Sequence, residues 1–129
     1  MAFTHIMVGA KDVAEGKSFY DNVLGALGWS EGHEFRPGTV FYSHNGATFG
    51  VGTPADGAAA THANGGTIGF AAQNKEQVDA FHAAGLANGG SCEGQPGKRP
   101  GAPGNAYGAY LRDPTGNKIC TFCQLPEGE

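Results

Sequence analysis

The sequence predicts an α+β fold in which two consecutive βαβββ modules pair their sheets around a cleft. The first reason is an internal repeat. The sequence that starts at His5 and the sequence that starts at Thr67, 62 residues later, show the same order of strand and helix signals. The second reason is that each half ends in two β-prone runs joined by turn residues, Asn45-Gly46 and then residues 113–117. Two copies are too few for a solenoid, which needs roughly three or more units, so we expect the modules to pack against each other.

The first module, residues 1–53, begins with a strand and a helix. A β-prone run covers residues 4–10, and from Lys11 to Gly28 apolar residues recur every three or four positions. Asp12 is the predicted N-cap of this helix and Gly28 its predicted end. Three short β-prone runs complete the module, at residues 33–36, 39–44 and 47–52.

The second module, residues 66–125, repeats this order after a connector at 54–65 that has the small-residue composition of a linker. Asn74 takes the place of Asp12 as the predicted N-cap of its helix. A short β-prone run at 91–95, a Gly/Pro-rich loop at 96–105 and a hairpin at 107–123 follow the helix. With 129 residues, the chain is predicted to form a single domain, residues 1–129.

Composition excludes several classes of partner. A formal net charge of -4 argues against nucleic acid and against an anionic membrane surface, since both require a basic face. The sequence contains neither an apolar run of about 18 residues nor a signal-peptide pattern, so we expect a cytoplasmic protein that does not insert in membranes. Three cysteines give no disulfide framework. Cys120 and Cys123 lie on a predicted strand, where residues three apart point to opposite faces, so they are not expected to share a metal ion.

Three stretches resemble one known family. They are the opening F-T-H-I, the helix text K-S-F-Y-D-N-V-L-G-A-L-G-W and the ending Y-G-A-Y-L-R-D-P-T-G-N-K-I. Together with the doubled βαβββ order they are similar to the vicinal oxygen chelate superfamily, which includes glyoxalase I, extradiol dioxygenases, bleomycin resistance proteins and small glyoxalase-like proteins. The resemblance implies two modules that form a cupped mixed sheet, a homodimer and a small-molecule ligand. In metal-using members it also implies a divalent ion in the cup, such as zinc, nickel, iron or manganese.

The resemblance also implies where metal ligands would lie, on the first and last strands of the modules. His5 occupies the first such position, and Thr67 is its counterpart in the second module. On the last strand Cys120 stands where the family has Glu, and in the first module the corresponding positions are Thr48 or Gly50. The implied metal site is therefore degenerate, with His5 as its retained ligand. His5 and Cys120 are either ligands of a soft ion such as zinc or residues that line a cavity.

The proposed substrate-binding residues are Thr67, Tyr107, Tyr110, Arg112 and Cys120. Alternation places Tyr110 and Arg112 on one face of their strand and Tyr107 on the other. Arg112 either binds an anionic group or closes the turn through Asp113. The segment 94–108 is either a surface loop or a lid, and as a lid it would favour an anionic small molecule through Lys98 and Arg99.

These residues leave three functions open. The first is a metal-assisted enzyme of the glyoxalase or dioxygenase type, that is, a lyase, isomerase or dioxygenase in which the ion acts as a Lewis acid. The second is a metal-free enzyme in which Tyr107 or His5 handles protons. The third is a metal-free protein that sequesters a small molecule, as in the bleomycin-resistance branch, which requires only a pocket with apolar walls and a few polar groups.

Overall fold

A computed structural model of the chain describes residues 2–129, which form two four-stranded sheets and two helices. Sheet 1 has the strand order β1-β4-β3-β2 and sheet 2 the order β5-β8-β7-β6. In each sheet the first and last strands of the module pair in parallel and the other pairs are antiparallel. The prediction of two tandem βαβββ modules is confirmed. The elements are β1 (Ile6–Gly9), α1 (Val13–Gly25), β2 (His33–Arg36), β3 (Thr39–His44), β4 (Ala47–Gly52), β5 (Ile68–Ala71), α2 (Lys75–Ala87), β6 (Ser91–Lys98), β7 (Ala106–Arg112) and β8 (Lys118–Gln124).

The internal repeat appears in the start of both helices. Each helix has 13 residues, and the Asp12 Oδ1 atom accepts the N–H of Glu15 at 3.0 Å. The Asn74 Oδ1 atom accepts the N–H of Gln77 at 2.9 Å. Both caps satisfy one backbone donor that a helix start otherwise leaves unpaired. Within residues 2–129, no helix is long and apolar enough to cross a membrane.

Strand β6 is longer than the sequence predicts, because it continues through Pro96 to Lys98 instead of ending at residue 95. Pro96 has no N–H to donate, but β6 is an edge strand that pairs only with β7. The register also shifts between Gly94 and Gly97, so Pro96 lies in an irregular part of the ladder. An edge strand with a bulge tolerates proline where a central strand does not.

The buried core is continuous across the two modules. The rings of Tyr20 on α1 and Phe49 on β4 lie 4.8 Å apart, and Phe49 in turn meets Phe70 of β5 edge-to-face at 5.2 Å. Helix α1 also packs against α2. The largest fully buried side chains of this core come from both halves of the chain: Phe19, Tyr20, Leu24, Tyr42, Phe49, Phe81, Leu111 and Ile119.

A second connection between the modules is polar, and we call it the inter-module clasp, formed by Tyr20, Asp113, Asn117 and Gly9. The Asp113 side chain is only 6% exposed. Its Oδ2 atom accepts the Tyr20 hydroxyl at 2.7 Å and the Asn117 amide at 2.8 Å, and that amide also donates to the Gly9 carbonyl at 2.9 Å. Burial and the Asp113 carboxylate raise the pKa of Tyr20 well above its usual range, so its hydroxyl keeps its proton. The β7–β8 turn of module two is thereby fastened to α1 and β1 of module one.

We expect Tyr20→Phe to lower the free energy of unfolding by about 2 kcal/mol, since a hydrogen bond to a charged group contributes roughly 1.5–3 kcal/mol. Urea denaturation followed by circular dichroism measures this change. The matched control is Tyr107→Phe, which removes a 2.7 Å hydrogen bond to Asp79 at the protein surface. An equal loss in both variants would contradict a special role for the clasp.

Candidate functional site

One face of each sheet packs against the helix of its module. We call the opposite face, which the helix does not cover, the open face. In sheet 2, Leu111 contacts α2 and therefore lies on the helix side. Tyr110 and its register partner Cys120 lie on the open face because strand residues alternate. In sheet 1, a Cβ atom added to Gly50 would collide with Phe41 and Met7, so these two side chains lie on the open face.

The open face of sheet 1 is mainly apolar. Met7 is 43% exposed and Phe35 is 62% exposed, although both side chains are largely hydrophobic. The Phe35 ring meets Phe41 edge-to-face at 5.6 Å. The Arg36 guanidinium lies 5.7 Å from the Phe35 ring centroid and adds a positive charge at the rim. Exposed aromatic side chains that group in this way mark a surface suited to a ligand or a partner.

The open face of sheet 2 is aromatic and positively charged. The Tyr110 ring lies 5.1 Å from the Lys118 Nζ atom and 5.8 Å from the Arg99 guanidinium carbon, and it meets Phe122 edge-to-face at 5.7 Å. Arg99 is held in place because its guanidinium donates to the Gln95 carbonyl at 2.6 Å. We call Arg99, Tyr110, Lys118 and Phe122 the cationic aromatic cluster.

Two of the cations in this region form no ion pair with a carboxylate among residues 2–129. Arg112 forms an ion pair with Glu93 at 2.9 Å and donates to the Gly116 carbonyl at 3.0 Å. Arg112 therefore does not close the turn through Asp113, which was one of its two predicted roles. Its hydrogen bond lowers the pKa of Glu93. No ion pair within residues 2–129 includes Arg99 or Lys118, so the cluster keeps a net positive charge.

The structure brings together three of the proposed substrate-binding residues, Tyr110, Arg112 and Cys120, on the open face of sheet 2. Thr67 is exposed and lies directly before β5. Tyr107 lies on the opposite face, where its hydroxyl donates to Asp79 on α2 at 2.7 Å, as alternation predicts. Lys118 and Phe122 were not among the residues predicted from the sequence. The same alternation finds both, because they lie two residues to either side of Cys120.

The donor set at the family's metal positions does not fit a divalent ion. His5 is exposed, and its Nδ1 atom lies 2.9 Å from the Thr4 hydroxyl. Cys120 is buried, and this burial raises the pKa of its thiol, which opposes the thiolate form that binds metals. Thr67 and Thr48 offer neutral hydroxyls. Within residues 2–129, no three His, Cys, Asp or Glu side chains group closely enough to hold a metal ion.

A cavity of about 350 Å³ lies at the seam between the two modules, apart from the cationic aromatic cluster. Trp29 contributes to its wall, stacked on His44 at 5.1 Å and edge-to-face on Phe70 at 5.8 Å. Of the described residues that line this cavity, none is Asp, Glu, Lys or Arg. Its one ionisable lining side chain among the described residues is His44, so we place the candidate site on the more strongly charged open faces.

Comparisons with known proteins agree with this architecture. The chain matches the family model of the Glyoxalase/Bleomycin resistance protein/Dioxygenase superfamily over residues 2–121. It therefore belongs to this superfamily, as the sequence resemblance predicted. A glyoxalase/bleomycin resistance protein from Albidiferax ferrireducens T118 is 54% identical, with a TM-score of 0.89 over 95% of this chain and 98% of that chain.

More distant structures share the fold alone. A lactoylglutathione lyase from Agrobacterium tumefaciens is 22% identical, with a TM-score of 0.65 over 95% of this chain and 93% of that chain. The hypothetical protein SA1046 from S. aureus is 18% identical, with a TM-score of 0.72 over 95% and 93% of the two chains. A search of curated proteins found no match.

We expect Gly108→Ala to lower the free energy of unfolding by about 1–3 kcal/mol, the usual cost of overpacking. A Cβ atom at this position would lie 2.6 Å from the Phe122 ring, which rests directly on the Gly108 backbone. The control is Gly101→Ala, because a Cβ atom there meets nothing within 4 Å. Urea denaturation of both variants gives the comparison. If Gly108→Ala unfolds at the same urea concentration as Gly101→Ala, the close packing of Phe122 on Gly108 is wrong.

Proposed function

We propose that this protein binds a small aromatic anion in a cup formed by its open faces, and that it does so without a divalent metal ion. The observation that carries the proposal is the cationic aromatic cluster, in which the Arg99 guanidinium carbon and the Lys118 ammonium lie 5.8 Å and 5.1 Å from the Tyr110 ring centroid. Membership of the superfamily supports a small-molecule ligand in general terms. The nature of that ligand is inferred from the side chains of this chain.

The preference for an anion rests on the two unpaired cations. A carboxylate or sulfonate that approaches Tyr110 meets the Lys118 ammonium and the Arg99 guanidinium without displacing a carboxylate of the protein. The Arg99 side chain is already ordered by backbone carbonyls, which reduces the entropy lost on binding. Charge-assisted hydrogen bonds to such groups are stronger than neutral ones.

The preference for an aromatic ligand rests on the walls of the cup. Tyr110 and Phe122 provide aromatic surface on sheet 2, and Phe41 and Met7 provide apolar surface on sheet 1. A planar ligand gains both ring contacts and apolar burial on such walls. The two open faces form the cup within one chain or between two copies. A homodimer and a cytoplasmic location, both predicted from the sequence, remain predictions.

Sequestration fits the site better than acid–base catalysis does. Glu93, the carboxylate beside this open face, is held by Arg112, and its lowered pKa makes it a weak base. Tyr107 lies on the far side of the sheet and keeps its proton, because the hydrogen bond to Asp79 raises the pKa of its hydroxyl to about 12. Of the groups proposed to handle protons, this leaves His5, which lies directly before β1. Binding requires none of these groups to react.

We expect desalted protein to retain well below one equivalent of zinc, nickel, iron or manganese, as measured by elemental analysis. We also expect it not to turn over the methylglyoxal–glutathione adduct when nickel or zinc is added. The matched control is the double variant Thr67→His, Cys120→Glu, which together with His5 supplies two imidazoles and a carboxylate, a set that binds divalent ions. About one equivalent in the native protein, lost on His5→Ala, would replace this proposal with the metal-assisted enzyme.

We expect Lys118→Gln to weaken binding of 2-naphthoate about fivefold, since a half-exposed charge pair contributes up to about 1 kcal/mol. Isothermal titration calorimetry at low salt measures the affinity, which should fall further as salt is added. Lys75→Gln is the control, because it removes the same charge from the exposed start of α2. Equal affinities for the native protein and both variants would rule out the cationic aromatic cluster as the anion site.

A further inference from the structure

A cysteine and a histidine form a contact on the helix side of sheet 2. The Cys92 Sγ atom on β6 lies 3.2 Å from the His82 Nε2 atom on α2. Cys92 is exposed, whereas Cys120 and Cys123 are 6% and 5% exposed. A thiol that solvent reaches is thus held against an imidazole, while the other two thiols are buried.

The imidazole cannot easily move away from the thiol. His82 is only 5% exposed and belongs to the buried face of α2, together with Val78, Phe81 and Gly85. Cys92 is fixed from the other side, because its backbone pairs with Leu111 in the β6–β7 ladder. Packing and strand pairing therefore set the distance between the two side chains, with no need for a bound ligand.

The His82 imidazole is in the neutral state that can accept a proton. Burial lowers the pKa of His82, while the charge of Asp79, one turn earlier on α2, acts in the opposite direction. The ring is therefore mostly neutral near pH 7. A neutral ring with its proton on Nδ1 leaves Nε2 free to accept the proton of the Cys92 thiol.

We propose that Cys92 and His82 form a reactive thiol–imidazole pair that takes up soft carbon electrophiles of the α,β-unsaturated carbonyl class. The Cys92 thiol gives its proton to His82 Nε2, and a bond forms between Sγ and the β-carbon of the electrophile. The carbon–carbon double bond loses its π pair to the α-carbon, which then takes the proton back from His82. The product is a thioether, and no other reactant is needed.

This pair is separate from the proposed anion site. Cys92 has Leu111 as its register partner, and Leu111 faces α2, whereas Tyr110 and Cys120 face away from the helix. The sheet itself lies between the two sites. Modification at Cys92 therefore tests a property that does not depend on the ligand of the cup.

The test uses N-ethylmaleimide, an α,β-unsaturated carbonyl compound, on the whole protein at pH 7. Trypsin cleaves after Lys75, Lys98 and Lys118, so Cys92 falls in a different peptide from Cys120 and Cys123, and mass spectrometry gives its rate separately. The same protein unfolded in urea provides the reference, because it has no contact between Cys92 and His82. N-acetylcysteine in both solvents corrects for the effect of urea on the reagent.

We expect Cys92 to react about tenfold faster in the folded protein than in the unfolded chain. This acceleration is smaller than the roughly 10²–10⁴-fold that optimised general bases contribute. Exposure alone cannot give this result, since the unfolded chain exposes the thiol fully. His82→Asn should remove the acceleration, and His33→Asn, a change at an exposed strand position, should not. A folded rate equal to or below the unfolded rate, or one unchanged by His82→Asn in a folded variant, would overturn the proposal.

Discussion

One carboxylate holds both the last hairpin and the junction between the modules. The Asp113 Oδ1 atom accepts the backbone N–H groups of Thr115, Gly116 and Asn117, each at 2.9 Å, and so defines the turn. Its Oδ2 atom accepts the Tyr20 hydroxyl from the other module. The turn and the module interface therefore form together, because the same buried charge requires all of these donors to be present. The positions of Lys118 and Cys120 at the start of β8 follow from this anchoring.

The chain has the superfamily's architecture, but the residues at the metal positions implied by the resemblance do not fit a divalent ion. Cys120 stands where the family has a carboxylate, and its buried thiol is kept protonated. Positive charge is supplied instead by side chains of the protein, Arg99 and Lys118, at fixed distances from an aromatic ring. A covalently attached cation needs no ligand cage and is always present. Under the proposed function, these two cations would attract an anionic ligand without the Lewis acid that a metal ion supplies.

The fold was predictable because its signals are local. Helix caps at Asp12 and Asn74 and the turn at residues 113–117 depend on residues a few positions apart, so the repeat and the β7–β8 hairpin could be read directly. The contacts of the cationic aromatic cluster depend on how the strands pair, and the contact that joins the two modules is between distant residues. Tyr20 and Asp113 lie 93 positions apart, and no local pattern indicates that they meet. The end of β6 could not be predicted for a similar reason. A strand tolerates Pro96 only at the edge of a sheet, and the edge position of β6 follows from the strand order.

The doubled architecture gives the protein two copies of one scaffold whose exposed surfaces have become different. The copy in module one presents Met7, Phe35 and Phe41, and the copy in module two presents a ring with two cations. Module one thus presents mainly apolar surface, and most of the positive charge lies on module two. Substitutions on either surface can change it without disturbing the other, because the helix caps and the clasp lie outside both surfaces. A duplicated scaffold of this kind can therefore change the exposed chemistry of one module while the other module stays as it is.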